Sequence, residues 1–82
     1  MNRDMAERTS LLALKIGSEL DEHLAQIKAE CSIAEFEQYR LATGKVMGEL
    51  LLGMMNPIYK EHPDLKPKAL GGPYDVKEQG SN

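Results

Sequence analysis

The sequence contains no tryptophan, one phenylalanine and one cysteine, and no proline precedes Pro57. Each absence excludes something. With Cys31 alone, no intrachain disulfide can form. The two histidines, His23 and His62, are far apart and share no spacing that suits zinc or iron, so no metal and no cofactor is expected. No run of lysine or arginine occurs, and the net charge is −3, which argues against a partner recognised through nucleic-acid phosphates. The longest apolar stretch, from Val46 to Met55, is interrupted by Gly48, Glu49 and Gly53, too short and too broken to span a bilayer. The residues after Met1-Asn2-Arg3-Asp4 carry no apolar signal segment. The free thiol suits a reducing compartment, so the expected location is the cytoplasm of the producing cell, or a virion assembled there.

Eighty-two residues allow one domain, whose core is marginal unless something reinforces it. With disulfide and metal set aside, self-association or docking on a larger partner remains. The expected partners are other protein subunits, in a homo-oligomer or a hetero-complex. A membrane is not among them, nor is sequence-specific contact with nucleic acid.

Strong helix formers dominate up to Pro57; Pro57, Pro63, Pro67 and Pro73 then fall together with Gly71, Gly72 and Gly80. This shift divides the chain into a helical body, residues 1–60, and a Pro/Gly-rich extended arm, residues 61–82. In the body, Met5, Thr9, Leu12, Ile16, Leu20, Leu24, Ile27 and Cys31 recur at steps of three and four. They predict a first helix from about Asp4 to Glu30, with these residues inward and Ala13 and Gly17 at the stripe's edge. Ser32-Ile33-Ala34-Glu35 fits a capping box, and Cys31 and Phe36 stand at the positions of a hydrophobic staple. A tight turn at about 29–32 therefore joins two long helices into an antiparallel hairpin, giving an all-α fold.

The second helix is expected from Ile33 to about Asn56. One apolar face holds Phe36, Met47, Leu50, Leu51, Met54 and Ile58; another holds Leu41, Leu52, Met55 and Tyr59. A single hairpin partner covers about one stripe, so the second face points to association. Asn56-Pro57 either kinks this helix or, as the favoured reading, starts a short third helix that ends before Pro63.

Several residues invite sharper readings. Gly44 and Gly48 form a small-xxx-small spacing, and with Gly53 they cost the helix about 3 kcal/mol relative to alanine. Close approach of another helix is the expected compensation, with local flexibility as the alternative. Arg40 is either an anchor on a partner surface or an intramolecular partner of Glu19, Asp21 or Glu22. The acidic cluster itself reads as a solvated face. Ordering the arm costs more backbone entropy than Leu65, Leu70, Tyr74 and Val76 return by burial, so the arm is expected to order only on a neighbouring subunit. The candidate interface is therefore Arg40, Leu41, Gly44, Gly48, Leu52, Met55, Tyr59, Leu70 and Tyr74. No nucleophile–base–orienter set or phosphate loop can be assembled, and no enzymatic activity is expected.

Residues 39–48, Tyr39-Arg40-Leu41-Ala42-Thr43-Gly44-Lys45-Val46-Met47-Gly48, resemble short hairpin proteins encoded among the head genes of tailed bacteriophages. The resemblance extends over roughly residues 10–55. It implies a structural or assembly protein, with a virion component among the roles it allows, and it carries over no site residues. The alternative is a small regulatory binder, an inhibitor or a transcription-regulator partner, that occludes a surface of its target.

Overall fold

In the computed structural model, which describes residues 1–76, helices dominate and no strand occurs among the described residues. The first helix, α1, spans Arg3–Glu30. Asn2 caps it: its side chain accepts the Met5 amide at 2.8 Å, a start signal one turn ahead of the apolar pattern. At 1.5 Å per residue, α1 is about 42 Å long, which accounts for the molecule's 44 Å long dimension.

The turn forms as its residues dictate. Ser32 caps the second helix, α2, Ile33–Glu49: its hydroxyl accepts the Glu35 amide at 3.1 Å, and the Glu35 carboxylate accepts the Ser32 amide at 3.0 Å. At the two staple positions, Cys31 is exposed and Phe36 is half-buried. Lys28 lies over the Phe36 ring, at 5.6 Å.

Beyond Glu49 the helix does not break but widens. Leu50–Met55 winds as a π-helix, and the amide of Asn56 reaches back five residues to the carbonyl of Leu51. α3, Asn56–Glu61, follows with Pro57 in its first turn and no side-chain cap. Neither reading of Asn56-Pro57 describes this fully. The short helix exists and ends before Pro63, but Asn56 does not cap it. Pro57 has no amide to donate, and in a continuous α-helix its ring would press on the carbonyl of Gly53. A wider turn relieves that conflict without leaving helical backbone.

The π-turn changes which residues face inward. Five-residue closure puts Leu50 and Met55 on one face, followed by Ile58 and Tyr59, and all four are buried. Met54, expected inward, stays exposed. The assignment of Met55 and Tyr59 to an outer interface is thus overturned: both belong to the chain's own core.

The face of α1 is corrected as well. Its buried residues are Ala6, Ser10, Ala13 and Gly17, whereas Met5, Leu12, Ile16 and Cys31 are exposed. Small side chains win the contact because they let the helices come close. A Cβ added to Gly17 would already stand 3.2 Å from the Met47 methyl. Larger residues facing inward would hold the backbones apart and forfeit those contacts.

The Pro/Gly spacing predicts an arm extended onto a neighbour; instead residues 63–76 fold back on their own α1. Pro63–Leu65 and Lys68–Leu70 form single 3₁₀ turns, and Pro67 pairs with Tyr74 through an isolated bridge. Tyr74 donates its amide to Lys66 at 2.9 Å and accepts the Lys68 amide at 3.0 Å, so the loop supplies its own backbone partners. A Cβ on Gly72 would collide with the Lys66 carbonyl, which accounts for glycine at this close approach. Leu65 and Pro67 are fully buried, and Arg3 ties Asp64 to the start of α1 with its Nε donating at 3.0 Å. Buried Pro67 and the internal backbone hydrogen bonds add to the apolar anchors of the loop and offset the entropy of ordering it on its own chain. The portion of the arm at 77–82 lies outside the described residues.

Candidate interaction surface

All of this places the core at one end. It gathers the first half of α1, the π-turn, α3 and Leu65, while no residue of α2 is buried. The radius of gyration, 14.5 Å, exceeds the about 12 Å expected of a compact domain of this length. Apolar side chains at the far end are left to solvent: Ile33 is 83% exposed and Leu41 59%.

The candidate interface residues now separate into groups. Leu41, Gly44 and Leu52 are exposed along one side of the second helix, with Leu52 at 66%, and Gly48 is half-buried among them. At about 100° per residue, Leu41, Gly44 and Gly48 share one sector of α2. A Cβ on either glycine would meet nothing within 4 Å. Close packing inside the chain is therefore made at Gly17 of α1, and the two glycines of α2 face open space. The close approach within the chain falls on a second set of small residues, which the Gly44–Gly48 spacing does not include. The 6–10–13–17 recurrence of Ala, Ser, Ala and Gly was the signal available, and a purely hydrophobic count passes over it.

Arg40 lies at the same end and bridges to neither Glu19, Asp21 nor Glu22. It donates instead to Glu37 of its own helix at 2.7 Å, which holds the Glu37 carboxyl below its ordinary range. The pair is half-exposed, so it contributes little to stability and leaves the guanidinium accessible. Met55 and Tyr59 are withdrawn into the core, where the Tyr59 and Ser10 hydroxyls meet at 2.5 Å. Tyr74 is occupied too: its hydroxyl donates to Glu7 at 2.5 Å, and that bond raises its pKa above the ordinary value.

Leu70 remains exposed at the mouth of a groove between α1 and the second helix. The groove has a volume of about 400 Å³ and runs over Ala13, Gly17 and Gly48. Leu14, Met47 and Leu51 form its apolar walls, and Ser18 and Asp21 supply polar groups along it. Its chemistry suits an apolar side chain and offers no converging catalytic groups. Among the described residues no cluster of His, Cys, Asp and Glu could hold a metal ion, and no helix is long and apolar enough to cross a membrane.

Comparison with family models, curated proteins and solved structures returns no match to this chain.

Proposed function

We propose that this chain is a non-enzymatic structural or assembly protein, an antiparallel helical hairpin that docks on a larger protein assembly. One observation carries the reading: among the described residues none buries a side chain of α2, and the second helix presents Leu41 and Leu52 to solvent along one side. Apolar side chains aligned on one side of a helix that lies outside the core fit a surface that is covered in the working state. Gly44 and Gly48 add a place where a partner helix can approach closely, and Arg40 stands beside them as a polar anchor. The resemblance at residues 39–48 favours a bacteriophage particle as the assembly.

Native mass analysis of the protein as recovered from its source is the test. An assembly component co-purifies with particles or large complexes, and Leu41→Glu and Leu52→Glu release it while helix content stays unchanged. Recovery as a free species, with neither substitution altering its mass, defeats the proposal. Recovery with one stoichiometric soluble target identifies a regulatory binder instead.

A further inference from the structure

The large apolar stripe of α1 that the fold leaves uncovered is a second surface, separate from the Leu41–Leu52 side. Met5, Leu12 and Ile16 are exposed and fall within about 40° of one another around the helix, about 110° from the buried Ala6–Gly17 stripe. Thr9, between the two stripes, lines a depression with Gly53 and Met54, and Met54 lines a second one with Val46. Met54 and Val46 are themselves exposed, so the uncovered face continues from α1 onto the second helix.

The charges beside this stripe point to its occupant. Arg8 and Glu19 lie three turns apart on the stripe's outer edge, within about 20° of each other. Among the described residues Arg8 is engaged only by Asp4, in an exposed pair at 2.9 Å. Glu19 makes no ion pair among the described residues. A two-fold axis midway between Leu12 and Ile16 sets Leu12 of one copy against Ile16 of the other. The same axis brings Arg8 of each copy level with Glu19 of the other, to within about one residue's rise. The edge is thus self-complementary in an antiparallel arrangement, whereas a parallel one sets like charges at the same height.

We infer that the Met5–Leu12–Ile16 face takes a second copy of this chain, packed antiparallel across α1, with two reciprocal Arg8–Glu19 pairs flanking the apolar contact. The test is the mass of the full chain in solution by analytical ultracentrifugation, with helix content followed in parallel. Wild type sediments as a dimer, and Leu12→Glu converts it to a folded monomer. Arg8→Glu and Glu19→Arg each weaken dimerisation about tenfold, because each homodimer then opposes two like-charged pairs. An equimolar mixture of these two variants restores dimers, since every cross pair is again attractive. A monomeric wild type, a dimer insensitive to Leu12→Glu, or a mixture no tighter than its components overturns the inference. None of these outcomes bears on particle docking, which Leu41→Glu tests at the other surface.

Discussion

The hydroxyls of Ser10 and Tyr59 meet at 2.5 Å inside the core, forty-nine residues apart in sequence, and they hold the N-terminal third of α1 against α3. Both residues are buried, so each is the other's means of satisfying a polar group that has left water. The pair exists only because the π-turn delivers Tyr59 to the inner face.

Removing one partner should therefore hurt more than removing both in sequence would suggest. Ser10→Ala or Tyr59→Phe is expected to destabilise the fold by about 1–3 kcal/mol, the cost of an orphaned buried hydroxyl. The double variant should be less destabilised than the sum of the two. Urea denaturation of the four proteins measures the coupling, and strict additivity refutes the bond's role.

Glycine substitutions on α2 should separate folding from docking. Gly44→Ala and Gly48→Ala add a Cβ into open space, so each is expected to stabilise the isolated protein by about 1 kcal/mol. If a partner helix rests on that side, the same changes weaken docking. Thermal melts beside a co-purification assay read the two effects, and a loss of stability on either substitution contradicts the open geometry.

Stability should fall at both ends of the pH range. The Asp64 carboxyl is held below its ordinary 3.8, chiefly by the hydrogen bond from Arg3. Glu35 is held below 4.5 chiefly by the Ser32 amide, and Glu37 below 4.5 by Arg40. Groups lowered on folding contribute fully above their unfolded values, so this stability drains as pH falls below about 4.5 through the lower folded values. Tyr74 is raised above 10.0, chiefly by its bond to Glu7, so its contribution is complete below 10.0 and is lost as pH rises through the folded value. Tyr74→Phe should flatten the alkaline limb and leave the acid limb in place. Ser32→Ala should remove about 1 kcal/mol at neutral pH, by loss of the cap. Denaturation midpoints across pH check all three outcomes.

What the sequence determined by itself was local. The capping box at Ser32 and Glu35, the ends of α1, the turn after Glu30 and the stop before Pro63 depend on neighbours within four residues, and they are legible from spacing alone. Which faces meet was decided by the tertiary structure. Hydrophobic periodicity sees two adjoining stripes on α1 and favours the larger side chains. The backbones instead close on Ala6, Ser10, Ala13 and Gly17, because small residues permit the nearer approach. A single π-turn before Pro57 then shifts Met55 and Tyr59 inward and leaves Met54 outside, a change of register that no fixed 100° projection contains. The loop at 63–76 closes through hydrogen bonds among Lys66, Pro67, Lys68, Gly72 and Tyr74, whose partners are set by how the chain turns back rather than by composition. Local chemistry wrote the helices, and the distance between their backbones chose the surfaces left for partners.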